Sequence, residues 1–237
     1  MSQYFTRNKP KSFLLRILYF LNRIIKISDK QKLNIYLDLA WIFHRLSHET
    51  AIKYYSSKGM SINRKINVFL LNKIHADYSI LDLGCNLGEI SFELAKVASH
   101  VIGIDQNEVA IKIAKSKYKL PNLEFLNEEA FSYLSENGKK MDVLILSHIL
   151  EHLDNPAEFI LKFKSYFKLV YVEVPDLEAT VLNRYRIDLN ANFRYMDDDH
   201  LVEFDREDLK KFLSNSGLTI IDSEYIYGIQ RYWCVVN

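Results

Sequence analysis

Residues Ser79 to Asp105, SILDLGCNLGEISFELAKVASHVIGID, constrain the fold more than any other part of the chain. Ser79 to Leu83 is a short apolar run, the pattern of a strand buried on both faces. Gly84 and Gly88 bracket a turn where a missing Cβ lets the backbone bend sharply and approach a ligand. Glu89 to Val97 has helical spacing, with Ile90, Phe92, Leu94 and Val97 apolar. His100 to Ile104 reads as a second strand, and Asp105 stands at its C-terminal end. A right-handed βαβ unit brings both strand ends to one crevice. There a carboxylate can accept hydrogen bonds from a ribose diol, so the pattern fits an adenosine-bearing ligand.

The turn narrows the choice. A dinucleotide site wants G-x-G-x-x-G, which seats a pyrophosphate on a helix N-terminus. Here the spacing is Gly84-x-x-x-Gly88 and acidic Asp82 precedes it. That turn repels a pyrophosphate and suits a ligand carrying an ammonium group. LDLGCNLGE resembles the first motif of the class I S-adenosylmethionine (SAM) methyltransferases, in particular the type 11/23-like small-molecule enzymes. The resemblance covers about residues 65 to 237, although the family usually has a third glycine between these two. It implies a Rossmann-like three-layer α/β sandwich, with a seven-stranded, mostly parallel sheet and an antiparallel edge hairpin. It also implies a SAM site built from Asp82, Gly84, Cys85, Asn86, Gly88, Asp105, Gln106, Glu129, Ala130 and Ser147. Asp105 matches the ribose-binding acid, and Glu129-Ala130 matches the pair that accepts the adenine amino group.

Further strands are expected at Asn122 to Leu126, Met141 to Ser147, Leu169 to Val174, Leu218 to Tyr227 and Arg231 to Val236. Helices are expected at Glu108 to Tyr118 and Asn155 to Lys168. Another should run from Asp205 as N-cap to Ser216, with Gly217 as its stop. Residues 177–200 form a polar insertion too long for a plain connection and read as a substrate lid. Its Arg184, Arg186 and Arg194 either grip an anionic substrate or pair with Asp188 and the Asp197-Asp198-Asp199 run.

The segment Ser147-His148-Ile149-Leu150-Glu151-His152-Leu153 contains H-x-x-E-H. An inverted zinc-peptidase reading fails, because a strand leads straight in and Pro156 limits the segment. It resembles instead the EHL-D-x-P signature of small-molecule methyltransferases, which lies between methyl donor and acceptor. Transfer to an alcohol needs a base near neutral pH, for which histidine is suited; His152, His148 and His200 are the candidates. Ubiquinone O-methyltransferases and small-RNA 2′-O-methyltransferases carry a similar E-x-x-E-H and hold a divalent ion. By that resemblance His148, Glu151, His152 and His200 form an alternative metal set, less favoured than metal-free base catalysis.

Upstream, residues 1–64 are expected to form a helical N-terminal extension on the methyltransferase domain at 65–237. Residues 13–30 read as a helix with Leu14, Ile17, Leu18, Leu21 and Ile25 on one face and Arg16, Arg23, Lys26 and Lys30 on another. Its longest apolar run, Ile17 to Leu21, is far too short to span a bilayer. The segment either packs on the protein, on its own domain or at a homodimer interface, or lies on an anionic membrane. A second helix is expected from Gln31 to Ser57, and a third from Asn63 to Lys73. Tyr54, Tyr55 and Lys58 are either core or pocket residues. Residues 1–28 carry Arg7, Lys9, Lys11, Arg16, Arg23 and Lys26 and no acid, against +1 for the whole chain. The body is therefore net acidic, which argues against broad nucleic-acid binding. Two cysteines, Cys85 and Cys234, exclude a disulfide framework and fit a cytoplasmic protein, membrane-peripheral if residues 13–30 meet lipid. The sequence thus predicts O-methylation of a small-molecule or glycan-linked acceptor. Its rivals are a metal-dependent RNA 2′-O-methyltransferase and a non-catalytic partner subunit of the same fold.

Overall fold

The computed structural model describes residues 12–56, 68–138 and 140–237. The expected apolar runs pair into a seven-stranded sheet of order β3-β2-β1-β4-β5-β7-β6. Its strands are β1 (Ser79–Leu83), β2 (His100–Ile104), β3 (Leu123–Leu126), β4 (Met141–Ser147), β5 (Phe167–Pro175), β6 (Leu218–Ile226) and β7 (Ile229–Val236). The first five are mutually parallel, and β7 runs antiparallel to both β5 and β6. Strand order reverses between β1 and β4, so the crevice beyond their C-terminal ends lies at the switch point of the sheet.

Alternation along the strands builds two cores. Leu81, Ile102, Leu144 and Val170 face one side, under α6 (Ala130–Asn137), α7 (Pro156–Phe163) and α9 (Arg206–Asn215), which supply Leu134, Ile160, Phe163, Leu209 and Leu213. Ile80, Val101, Val143 and Tyr171 face the other, under α3 (Val68–Leu71) and α4 (Glu89–Ala95), which supply Leu70 and Leu94. Each such side chain stabilises the fold by about 1.5–3 kcal/mol on full burial. α5 (Glu108–Lys117) starts where Asn107 Oδ1 accepts the Val109 and Ala110 N–H groups. Asp205 caps α9 as expected, and Gly217 ends it at φ 81°.

Two helices form as expected, but the break between them, expected at 30/31, falls earlier, at residues 25–28. α1 (Phe13–Ile24) stops, and α2 (Asp29–Ser56) begins after a capping box. In that box Ser28 N–H donates to Gln31 Oε1 at 3.0 Å, and Gln31 N–H donates back to Ser28 Oγ at 3.3 Å. α6 was not expected. It is capped by Glu129 and closed by Gly138 at φ 56°. The lid contains a short helix, α8 (Val181–Asp188). Tyr54 and Tyr55 are not core; they share an exposed groove on α2 with Phe43 and Leu46. Lys58, residues 63–67 of the expected 63–73 helix and the boundary at 64/65 lie outside the described residues, while 68–71 of that helix form α3.

Candidate active site

The glycine turn joins β1 to α4. Gly84 and Gly88 hold φ of 72° and 78°, and Asn86 between them holds 46°. Gly84 and Cys85 N–H both donate to Ile104 O, at 2.8 and 3.1 Å, which ties the turn to the end of β2. A Cβ on Gly84 would come within 2.4 Å of Ile149 Cδ1, and one on Gly88 within 2.5 Å of the Phe125 ring. Both positions thus demand glycine for conformation and for space. Asp105 follows at the end of β2. Its Oδ2 accepts Asn86 N–H and its Oδ1 accepts Asn107 N–H, each at 2.8 Å. Two N–H donors leave lone pairs on both oxygens, so the carboxylate is fixed in direction yet still able to accept.

Asp82 lies beneath the turn, 2% exposed, and its Oδ2 accepts the Ser91 hydroxyl at 2.5 Å. Burial pushes its pKa up to about 7, against the pull of the Ser91 bond. Such a carboxylate favours a cationic neighbour. Glu129 puts its Oε2 on Ser132 N–H at 2.7 Å as the cap of α6, and Ala130 is buried behind it. Gln106 is exposed just beyond Asp105, and Cys85 is buried.

The loop after β4 joins this turn to the lid. His148 begins it at φ 56°. Its Nδ1 lies 2.9 Å from Glu151 Oε1 and its Nε2 3.6 Å from Glu173 Oε1. Burial lowers its pKa, but the Glu151 bond and the Glu151 and Glu173 charges raise it overall. Glu151 O accepts Leu201 N–H at 2.8 Å and Val202 N–H at 3.2 Å, which seats the lid on the loop. His200, on the lid, meets His152 edge to face at 4.9 Å between ring centroids. His200 Nδ1 lies 2.7 Å from Glu203 Oε1, an oxygen that also accepts Met196 N–H at 2.5 Å. The pKa of His200, lowered by burial, is raised overall by the Glu203 hydrogen bond and the surrounding acids.

A buried ionic group stands behind His148. Glu173 Oε2 accepts Arg231 Nε at 2.6 Å and the Tyr171 hydroxyl at 2.7 Å, and Oε1 accepts Ser147 Oγ at 3.0 Å. Arg231 Nη1 reaches on to Glu224 at 2.6 Å. Burial opposes ionisation of Glu173; the charges of His148 and Arg231 and the tyrosine bond lower its pKa overall.

The lid is braced from outside by α2. Trp41 Nε1 donates to Tyr195 O at 2.7 Å, and the Trp41 ring stacks on Phe193 at 4.3 Å. Asn192 bonds Asp38, and Arg45 pairs with Asp197 at 2.5 Å. Arg184 binds Glu178 and Asp205 rather than Asp188 or the aspartate run. Arg186 is buried against Asn183, and Arg194 bonds Asn190.

A family model described as a methyltransferase domain matches residues 49–223. The chain belongs to the class I SAM-dependent methyltransferases. It is 33% identical over 96 residues to a ubiquinone biosynthesis O-methyltransferase of Pseudoalteromonas translucida, covering 39% of this chain and 41% of that one. It is 34% identical over 120 residues to an uncharacterized RNA methyltransferase of Clostridium tetani, covering 46% and 26%. The matched stretches thus span less than half the length of these relatives. Among solved structures, a SAM-dependent methyltransferase from Archaeoglobus fulgidus shares the fold at TM-score 0.55 and 20% identity, covering 78% of this chain and 99% of that one. Magnesium protoporphyrin IX methyltransferase from Synechocystis PCC 6803, with bound SAH (S-adenosylhomocysteine), matches at 0.53 and 16%, covering 94% and 95%.

The methyltransferase's cofactor is SAM, and the residues fit it. The glycine cradle that a Cβ would fill, the oriented Asp105 carboxylate and the buried Asp82 are what a nucleoside with a cationic amino-acid tail requires. The structure brings together Asp82, Gly84, Cys85, Asn86, Gly88 and Asp105 at the turn. Ser147, His148, Glu151, His152 and His200 gather in the loop and lid. Glu203 and the Glu173–Arg231 pair are absent from the sequence expectations. The signal for Glu203 was present: H-x-x-E occurs twice, at His148 to Glu151 and at His200 to Glu203, and both times the histidine meets the acid. The Glu173–Arg231 contact joins strands 58 positions apart and leaves no local pattern.

Proposed function

We propose that this chain transfers a methyl group from SAM to a hydroxyl oxygen of a small-molecule or glycan-linked acceptor. The observation that carries the reading is the His200–Glu203 pair at 2.7 Å, seated by Leu201 and Val202 on the loop that packs over Gly84. Bound SAM supplies an electrophilic methyl group. The rest is the chain's own work. Glu203 accepts the Nδ1 proton of His200 and so holds the tautomer whose Nε2 can take a hydroxyl proton. The lid excludes water around that step, and its ties to Trp41 and Arg45 hold it in place. His152 packs against the His200 ring and limits its rotation. His148, engaged by Glu151 and Glu173, orients the loop.

The test is SAH formation over a panel of phenol, catechol, sugar and RNA acceptors, with His200→Asn and Glu203→Gln beside the wild type. Losses in kcat of about 10²–10⁴-fold are expected in His200→Asn, with SAH affinity retained. Full kcat in variants of all three histidines would overturn base catalysis and point to a nitrogen acceptor, which needs no strong base.

A second reading has a specific observation behind it. Ligand atoms of Glu151, His152 and His200 lie within 4.8 Å of one another, and Glu151 Oε2 is buried without a hydrogen-bond partner. His148 is not part of that group. Two imidazoles and a carboxylate suit Mn²⁺, Fe²⁺ or Zn²⁺ better than Mg²⁺. A bound ion would orient an acceptor diol such as the end of an RNA, the substrate class in the name of the C. tetani relative. Loss of turnover on EDTA treatment, restored by one metal, together with an RNA gel shift, would favour it.

A further inference from the structure

We infer that α1 is a docking element for an anionic lipid bilayer. Every residue of α1 except Asn22 is exposed, and none is buried against the protein. Phe13 is 76% exposed and Phe20 62%, where core aromatics are near zero. At about 100° per residue, Phe20, Phe13, Ile24, Ile17, Leu21 and Leu14 fall on one arc of the helix. Asn22 lies nearly opposite. It is also the residue through which α1 is held: its Oδ1 accepts the Tyr36 hydroxyl at 2.7 Å and its carbonyl accepts Lys32 Nζ at 3.0 Å. The side of α1 that carries Asn22 therefore faces α2, and the apolar arc points away from the protein. Leu15, Leu18 and Tyr19 flank Asn22 and are exposed as well, so α1 buries no apolar residue on either side, the reverse of what packing on its own domain requires.

Charge selects the occupant. Residues 1–28 carry six basic side chains and no acid, while the chain as a whole is +1. Arg23 follows the arc along one flank of α1, and Lys26 and Lys30 continue just past its end, all three exposed. A second copy meeting this face across a two-fold axis would set two such basic, acid-free segments against each other. A bilayer rich in anionic headgroups attracts each basic residue and takes up the apolar arc at the headgroup boundary. Twelve residues span about 18 Å, short of the roughly 30 Å hydrocarbon layer, so the helix lies in the plane of the surface. Among the described residues no helix is long and apolar enough to cross a membrane. α2 carries the docked element to the lid: Trp41 stands about 18 Å along it from Asp29. Helix and lid thus share one rigid support, and docking fixes the lid's distance from the headgroups.

The test uses the whole chain in co-sedimentation with two kinds of vesicle, phosphatidylcholine alone and an equal mixture with phosphatidylglycerol. Binding at least about tenfold stronger to the anionic vesicles, and weakened by high salt, is expected. Phe20→Glu/Ile24→Glu and Arg23→Glu/Lys26→Glu should each weaken it by about tenfold or more, with the circular dichroism spectrum and SAH affinity unchanged. Equal binding to both vesicles, or none to either, overturns the inference. So does a wild-type dimer in analytical ultracentrifugation that Phe20→Glu/Ile24→Glu splits while the wild type ignores vesicles, since a second copy would then cover the face.

Discussion

Replacing Asp82 with asparagine should make the ligand-free protein more stable and its cofactor binding worse. Asp82 is fully enclosed, and its pKa rises from 3.8 to about 7, chiefly through burial. A raised folded-state pKa means the folded protein holds the proton more tightly than the unfolded chain. The associated stability is therefore fully present below about pH 4 and is lost progressively as pH climbs through 7. A shift of about three units at about 1.4 kcal/mol each amounts to roughly 4 kcal/mol by pH 8. The asparagine side chain keeps an oxygen for the Ser91 hydroxyl and never ionises. The variant should match the wild type near pH 4 and exceed it by up to about 4 kcal/mol at pH 8, or roughly 10 °C in Tm for a chain of this size. His148 and His200 titrate in the same direction but are common to both proteins, so the difference isolates Asp82. The assay is scanning calorimetry from pH 4 to 8, paired with SAH titration. Loss of a charged partner for the amino group should weaken SAH by about 10–100-fold. A variant destabilised equally at all pH values, or one that binds SAH like the wild type, would refute the reasoning.

Arg231→Met should destabilise by about 3–5 kcal/mol in urea unfolding, because it strands buried Glu173 without its cation. Adding Glu173→Gln should recover much of that loss; no recovery would mean that packing, not charge, explains Arg231. Gly88→Ala should abolish SAH binding while leaving a folded protein with a lowered Tm, since its Cβ must displace Phe125 and hold a positive φ; calorimetry reads both. Trp41→Ala should raise hydrogen exchange across residues 190–200 by about tenfold or more with the β-sheet unaffected, because it removes the Phe193 stack and the Tyr195 bond.

What the sequence revealed and what it concealed divide along physical lines. The βαβ core was legible because strands buried on both faces read as unbroken apolar runs, and because Gly84 and Gly88 combine a positive φ with no room for a Cβ. Two caps were legible too: Asp205 and Gly217 stand where those rules place them. The break before α2 was legible but displaced: the sequence puts it at Gln31, whereas it falls at residues 25–28, where Ser28-x-x-Gln31 makes the capping box. Glu129 illustrates the opposite case. Its match to an adenine-binding acid says nothing of the α6 cap it makes, since one carboxylate can serve both sites. The lid arginines pair with Glu178, Asp205 and Asn183 through contacts that depend on how the lid folds back, which spacing does not encode. The outward turn of α1 was equally hidden: periodicity locates an apolar arc but not the direction it faces, which Asn22, Tyr36 and Lys32 decide in three dimensions.

The central claim is that the turn at Gly84 and the carboxylate of Asp105 form a working SAM site. Calorimetric titration of SAH into wild type and Asp105→Ala tests it most directly. The account predicts saturable one-to-one binding by the wild type and a loss of about tenfold or more in the variant, whose fold should persist because Asp105 is a surface-facing strand end. Absence of binding by folded wild-type protein, or equal binding by both, would contradict it.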